Sequence, residues 1–288
     1  MYPGAFEYHR ADSVAQALSL LGRFGEQAKL LAGGQSLLPM MKLRLAEPRH
    51  LIDIGGIAGL DAINEQGGRI RIGALARHDA VASSDLLRRR LPLLAECAAE
   101  IGDLQVRNMG TLGGSLVHAD PGADYPAAVL ALEGEIVVEG PGGRRTLKAE
   151  QFFLDLMTTA LKPAEMLVEV NFAPLSARTG GAYVKHRQPA SGFALVGVAA
   201  VVGLNQGGAV ERCRVGVTGL AAAPFRALAV EQALTGKTPD ARSLADAASH
   251  AADGKDALSD IHASADFRAE LARVHTQRAL EKAVERAR

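Results

Sequence analysis

The stretch Lys29-Leu30-Leu31-Ala32-Gly33-Gly34-Gln35-Ser36 joins a short apolar run to two adjacent glycines. A second glycine pair stands in Thr111-Leu112-Gly113-Gly114-Ser115. Because glycine lacks a Cβ atom, successive backbone N–H groups at such bends can point into one concavity that attracts phosphate oxygens. Neither bend contains a lysine, so backbone donors would bind the anion. These two bends, called here the first and second glycine motifs, together predict one dinucleotide ligand.

The first glycine motif is also predicted to lead from a strand into a helix. The apolar run before it favours a strand, and the segment from Ser36 to Leu45 favours a helix capped by the Ser36 side chain. An anion at this bend would then meet backbone amides and the positive end of a helix dipole. The alternative is that each motif is only a tight connection, since loop glycines are common.

Three further residues complete the candidate site. Asp124 ends the turn 120–124, and its carboxylate suits the hydroxyls of a ribityl or ribose chain, although a turn aspartate can instead bond its own backbone. Phe193 follows a Ser-Gly turn, and its ring can stack on a planar ligand. Lys185 would supply positive charge nearby. For Phe193, packing in the core is the alternative.

Composition excludes several classes of function. The 288 residues contain 32 Lys and Arg against 32 Asp and Glu, so no overall positive field favours nucleic acid. The two cysteines, Cys97 and Cys213, are too few for an iron–sulfur cluster within this chain and do not form a disulfide scaffold, which favours a reducing cytoplasm. No apolar run is long enough to span a membrane, and no secretory signal is recognisable at the first residues.

Familiar motifs for other chemistries are missing from the sequence. The glycines of 55–59 lack the GxGxxG spacing of a Rossmann site, and Glu231 stands where a P-loop ending at 236–238 needs its first glycine. The eight histidines show no spacing typical of zinc sites, and no serine lies in a GxSxG elbow. We therefore expect no metal site and no catalytic acid–base pair or nucleophile.

The pattern along the chain predicts a protein of mixed helices and strands in three parts. Residues 1–56 alternate helix and strand, residues 57–175 mix helices with antiparallel strands, and residues 176–288 form a C-terminal domain entered through a linker at 176–181. The last predicted helix begins near Ser264. Its apolar face is predicted to contain Phe267, Leu271 and Val274.

The two glycine motifs and the turn that follows them resemble one known family when they are taken together. The stretches that carry the resemblance are 31–39 (LAGGQSLLP), 107–115 (RNMGTLGGS) and 118–124 (HADPGAD). The chain resembles the FAD-binding medium subunit of molybdenum hydroxylases, the group that contains aerobic carbon monoxide dehydrogenase and xanthine dehydrogenase. The likeness extends over nearly the whole chain, from Pro3 to the closing helical segment.

The resemblance implies a fold of the vanillyl-alcohol-oxidase type, in which two α+β subdomains clasp an extended FAD and a C-terminal α+β domain closes one side. It also implies twelve cofactor-binding residues. These are Ala32, Gly33, Gly34, Gln35, Ser36, Thr111, Gly113, Gly114, Ser115, Asp124, Lys185 and Phe193. Two of them depart from the usual family pattern: Gln35 stands where histidine or threonine is frequent, and Ser115 where asparagine is usual. Both substitutes can still form hydrogen bonds, so FAD binding is expected to be retained.

The function implied by the resemblance is electron transfer within a larger complex. A molybdopterin large subunit would oxidise the substrate, a [2Fe-2S] small subunit would carry the electrons, and this chain's FAD would pass them to quinone, NAD or oxygen. The implied assembly is a dimer of heterotrimers in the cytoplasm, with any membrane contact made through the complex or its acceptor. The alternative is a self-contained flavin oxidoreductase of the same fold.

Overall fold

The computed structural model describes residues 2–288 and begins with a small parallel sheet. Its strands are β1 (Glu7–Arg10), β2 (Ala28–Leu31) and β3 (His50–Asp53), in the order β1-β3-β2. Helix α1 (Val14–Phe24) is preceded by the N-cap Ser13, whose side chain accepts a hydrogen bond from the Gln16 amide, as expected for a serine at this position. Helix α2 (Leu37–Lys42) follows the first glycine motif.

A five-stranded antiparallel sheet forms the middle of the molecule. It has the order β4-β5-β10-β6-β7. The strands are β4 (Ile63–Gln66), β5 (Arg69–Gly73), β6 (Glu135–Gly140), β7 (Gly143–Lys148) and β10 (Met166–Phe172), with a separate ribbon of β8 (Phe153–Asp155) and β9 (Thr158–Thr159). The helices between β5 and β6 are α3 (His78–Ser83), α4 (Asp85–Arg90), α5 (Pro92–Ala99), α6 (Leu104–Met109), α7 (Leu112–His118) and α8 (Tyr125–Ala131).

The C-terminal part contains an antiparallel sheet with a long helix packed on it. The sheet order is β11-β12-β13-β14. Its elements are β11 (Thr179–Arg187), β12 (Ala194–Leu204), β13 (Val210–Thr218) and β14 (Phe225–Arg226), followed by α9 (Leu228–Leu234), α10 (Ala241–Ala248) and α11 (Ala265–Ala287). A Cβ at Gly180 would lie 2.0 Å from the Ala283 carbonyl oxygen, so this glycine lets α11 lie directly on β11.

Each sheet takes its strands from one of the three predicted parts, but the cores do not follow that division. Tyr183 and Val201, from the C-terminal sheet, pack in the same apolar cluster as Ile72 and Tyr125 of the middle part. The division into 1–56, 57–175 and 176–288 therefore stays a prediction. The expected linker at 176–181 is shorter than proposed, because β11 already begins at Thr179.

Three local expectations are wrong. Helix α2 ends at Lys42 rather than at Leu45, because Arg44 takes a left-handed conformation with φ of 62°. Ser36 precedes that helix but its side chain caps nothing, since its ψ of −50° is helical rather than extended. Phe267 is 45% exposed instead of lying on the packed face of α11, which faces the sheet with Leu271, Ala279 and Ala283.

Candidate functional site

A cavity of about 470 Å³ opens where the three parts meet, a volume typical of small-molecule sites. Its walls come from the β2–α2 region, from the helices and strands of the middle part, and from residues 191–193 of the C-terminal part. Eleven of the twelve residues expected to bind the cofactor line this cavity. They are Ala32, Gly33, Gly34, Gln35, Ser36, Thr111, Gly113, Gly114, Ser115, Asp124 and Phe193.

The first glycine motif supplies unused backbone donors. Within residues 2–288, the N–H groups of Gly33, Gly34, Gln35 and Ser36 have no hydrogen-bond acceptor. Gly34 has a φ of 73°, a backbone conformation that would be strained for a residue with a side chain. Unpaired backbone amides beside a cavity are suited to bind the oxygens of an anion, as predicted for this bend.

The second glycine motif differs from the expected nest of free amides. Thr111 is the N-cap of α7, and its hydroxyl oxygen accepts a hydrogen bond from the Gly114 amide at 3.1 Å. The amides of Leu112 and Gly113 donate to carbonyls of the strand-end segment 74–76, and the Ser115 amide donates to Thr111. The motif is therefore the start of a helix. The Ser115 side chain lines the cavity, and its hydroxyl has no partner among the described residues.

The glycines also allow close backbone packing, of Gly33 against the segment just before the second motif and of Gly113 against the segment that follows β5. A Cβ at Gly33 would lie 2.1 Å from the carbonyl oxygen of Met109, the residue before Gly110, and a Cβ at Gly113 would lie 2.7 Å from the Cβ of Ala74. These distances are far below van der Waals contact, so no larger residue fits. Glycine thus allows close backbone packing at Gly33 and Gly113, and in the first motif it leaves backbone amides accessible from the cavity.

Asp124 lines the cavity with a carboxylate that already has two partners. The Tyr183 hydroxyl donates to it at 2.6 Å, and the Lys185 ammonium lies 2.9 Å from Oδ1 and 3.1 Å from Oδ2. Burial raises the pKa of Asp124 to about 6, although Lys185 and Tyr183 act in the opposite direction. The alternative of an aspartate bonded to its own turn is not what the structure shows, because these partners come from β11.

Lys185 is the one predicted residue that the cavity wall does not include. Its side chain is 2% exposed, and its ammonium also donates to the carbonyls of Glu100 and Gly192 at 2.7 and 2.8 Å. These contacts connect β11 to the end of α5 and to the loop that carries Phe193. In this structure Lys185 positions cavity residues from behind rather than contacting the space itself.

Phe193 is exposed at the cavity rather than packed in the core. Its relative exposure is 45%, and it lies among the lining residues. The loop before it is fixed by bonds from the Gly192 amide to the Gln188 carbonyl and from the Gln188 amide to the Phe193 carbonyl. An exposed ring on a fixed loop is available for stacking on a planar ligand.

Sequence patterns gave no sign of His78, which also lines the cavity. It is 4% exposed, and burial, with the Arg107 guanidinium, lowers its pKa to about 4. Its Nδ1 atom has no hydrogen-bond partner among residues 2–288. His78 therefore presents a neutral imidazole at physiological pH. It begins helix α3 far from either motif in the sequence. The hydrogen bond from its amide to the Gly110 carbonyl and the packing of α3 against α6 place it at the site.

The family models match the chain in two consecutive segments. Residues 4–174 match the model described as the FAD binding domain in molybdopterin dehydrogenase, and residues 181–283 match the CO dehydrogenase flavoprotein C-terminal domain. The chain belongs to the FAD-binding medium subunits of the molybdenum hydroxylases. FAD is the cofactor of this medium subunit, which is an oxidoreductase subunit.

Individual relatives agree with the family match over nearly the full length. The medium subunit is 42% identical to the carbon monoxide dehydrogenase medium chain of Hydrogenophaga pseudoflava over 98% of both chains. It is 37% identical to the 6-hydroxypseudooxynicotine dehydrogenase complex subunit alpha of Paenarthrobacter nicotinovorans, over 100% of this chain and 97% of that one. A solved carbon monoxide dehydrogenase from Hydrogenophaga pseudoflava superposes with a TM-score of 0.96 at 44% identity, covering 99% of each chain. The expected fold class is confirmed.

The residues of the cavity fit the cofactor of the family. Free amides suit a diphosphate, the Ser36 and Ser115 hydroxyls and the Asp124 carboxylate suit polar groups of the ribityl and ribose chains, and apolar lining residues suit a flavin ring. In the described chain, no helix is both long and apolar enough to cross a membrane.

Proposed function

We propose that this medium subunit holds FAD in the 470 Å³ cavity and passes electrons from a [2Fe-2S] partner subunit to an external acceptor. The observation that carries the proposal is the cavity itself. Eleven residues that were predicted to bind the cofactor, from separate parts of the sequence, line this one cavity. The free amides of Gly33 to Ser36 would hold the diphosphate. Thr111, Gly113, Gly114 and Ser115 would shape the opposite wall and add the Ser115 hydroxyl.

The remaining site residues would place the flavin ring and the sugar chain. Asp124 would accept a hydrogen bond from a ribityl or ribose hydroxyl, since its oxygens keep acceptor capacity beside Tyr183 and Lys185. Phe193 would stack on the ring from its fixed loop. Lys185 is proposed as a positioning residue because its ammonium holds both Asp124 and that loop.

Bound FAD supplies the redox chemistry, because it takes up electrons singly and gives them up in pairs. The protein's part is to hold the ring near the donor subunit and to leave one edge open to the acceptor. No acid–base step on a substrate is assigned to this chain. Quinone, NAD and oxygen are the proposed acceptors, and the names of the relatives do not distinguish among them.

The proposed partners are a [2Fe-2S] small subunit and a molybdopterin large subunit, assembled as a dimer of heterotrimers. Support comes from the relatives, one named a medium chain and another a subunit of a dehydrogenase complex. The matched family model is likewise described through molybdopterin dehydrogenase.

Affinity purification of the tagged chain from its native source tests the assembly. We expect two further polypeptides at equal stoichiometry, one with the absorbance of [2Fe-2S] clusters and one containing molybdopterin. Substrate of the large subunit should then reduce the flavin in the complex but not in the isolated chain. Recovery of a lone chain whose flavin a substrate reduces directly would contradict the proposal and would favour the self-contained oxidoreductase.

A further inference from the structure

Glu7, His9 and His50 form a side-chain cluster on the small parallel sheet, outside the cavity walls. Strands β1 and β3 pair in parallel with Glu7 opposite His50. Glu7 and His9 are two residues apart on β1, so their side chains lie on the same face of the sheet. The register therefore brings one carboxylate and two imidazoles together, although His9 and His50 are distant in the sequence.

The potential ligand atoms of this cluster have the spacing of a tetrahedral metal site. His9 Nε2 lies 3.1 Å from His50 Nδ1, and a Glu7 carboxylate oxygen lies 3.4 Å from His50 Nδ1 and 3.8 Å from His9 Nε2. Ligands about 2.0–2.1 Å from a tetrahedral Zn²⁺ are about 3.4 Å from one another. The three observed separations bracket that value.

The surroundings hold both imidazoles in place and leave one side open. The Phe24 ring stacks on His50 with centroids 3.7 Å apart and on His9 at 4.8 Å. The side chains of His50 and His9 are 15% and 24% exposed, whereas Glu7 is 73% exposed. Two imidazole nitrogens packed against Phe24 and one exposed carboxylate can bind an ion from solvent, with water as the fourth ligand.

We propose that Glu7, His9 and His50 bind a divalent transition-metal ion of the Zn²⁺ class. Two imidazoles and a carboxylate are ligands typical of Zn²⁺ and disfavour Mg²⁺ or Ca²⁺, which take oxygen ligands. The ion would join β1 to β3 and so fix the first strand of the chain on its sheet. Histidine spacing in the sequence does not reveal this site, because strand pairing rather than a local motif creates it.

Titration of Zn²⁺ into the full chain with its FAD, after treatment with a chelator and its removal, tests the proposal. We expect one equivalent of Zn²⁺ to bind by calorimetry, and anomalous scattering at the zinc edge to locate it between His9 and His50. His9→Gln should weaken binding at least about tenfold, since two ligands do not make a site. Glu7→Gln should weaken it in the same direction with the stacked rings untouched.

His250→Gln is the matched control, because His250 lies on the surface 2.7 Å from the Asp253 carboxylate and belongs to no three-ligand group among residues 2–288. This variant should bind Zn²⁺ as the unchanged chain does. The proposal is overturned if the unchanged chain takes up no Zn²⁺, if the anomalous peak lies elsewhere, or if His9→Gln and Glu7→Gln bind as tightly as His250→Gln. Because Glu7 is exposed, its variant keeps the test valid even if His9→Gln folds poorly.

Discussion

At the scale of single residues, Gly114 offers the sharpest test of the cavity as the flavin site. A Cβ at this position would lie 2.7 Å from the Thr111 hydroxyl oxygen and 3.9 Å from the Cβ of Ala32. A valine would therefore place its methyl groups between the two glycine motifs. We expect Gly114→Val to lower FAD affinity at least about tenfold, or about 1.4 kcal/mol, as measured by flavin absorbance after dialysis.

The control for this variant is Gly142→Val, at the turn between β6 and β7. A Cβ at Gly142 meets no atom within 4 Å, so this position is open space away from the cavity. The control should keep its flavin and its circular dichroism spectrum. Equal flavin content in the two variants would show that the second glycine motif does not border the cofactor.

Some residues of the cavity can be predicted from the sequence, and others cannot. Gly33, Gly34 and Ser115 are predictable as cavity residues because they stand in contiguous motifs. His78 is not, since a single histidine at the start of a helix has no distinguishing neighbours in the sequence. The prediction of free amides in the second motif is wrong for a related reason: the Gly113 amide donates to the Ala74 carbonyl, which belongs to a distant segment.

At the scale of elements, Lys185 connects three segments through one buried ammonium. It is paired with Asp124, and both side chains are at most 4% exposed. Lys185→Met would leave the Asp124 carboxylate buried without its cation, which typically costs about 3–5 kcal/mol of unfolding free energy. Urea unfolding of the full chain measures this loss, and flavin release should accompany it because the Phe193 loop loses its contact.

The matched change on the surface is Lys237→Met. Lys237 lies 3.4 Å from Asp246, and its side chain is 49% exposed. Surface pairs of this kind contribute about 1 kcal/mol or less. Equal unfolding free energies for Lys185→Met and Lys237→Met would contradict a stabilising role for the buried pair of Lys185 and Asp124.

Element boundaries were predictable where local chemistry decides them. Strand β10 and the hairpin of β6 and β7 follow apolar alternation and a glycine-rich turn. The packed face of α11 was not predictable from periodicity, because the partner decides it: small residues such as Ala283 face Gly180, while Phe267 stays outside. The pairing of β1 with β3 likewise joins segments that are distant in the sequence, so local sequence does not predict it.

At the scale of the whole molecule, buried histidines make stability depend on pH. His275 is 4% exposed, and burial, aided by Arg278 and His186, lowers its pKa from 6.5 to about 4. Between these values the unfolded chain binds a proton that the folded chain does not, so stability falls as pH drops from 6.5 toward 4. The shift corresponds to roughly 3 kcal/mol.

His275→Leu should remove this dependence, since leucine has no group to protonate. We expect the variant to gain stability relative to the unchanged chain as pH falls from 7 to 4.5, measured by urea unfolding at each pH. The raised pKa of Asp124, about 6, acts in the opposite sense but is common to both proteins and cancels in the comparison. Parallel pH curves for the His275 variant and the unchanged chain would contradict the prediction.

The position of residues 191–193 in the cavity wall has a consequence for how the chain can be divided. The family model for FAD binding ends at residue 174, yet the loop that bears Phe193 and the lysine that secures it both lie beyond that limit. A fragment trimmed to the first matched segment would lack the aromatic wall and the cation paired with Asp124. The smallest unit that retains the complete cavity wall therefore extends across both matched segments, and dividing the chain at the border between those segments would remove part of that wall.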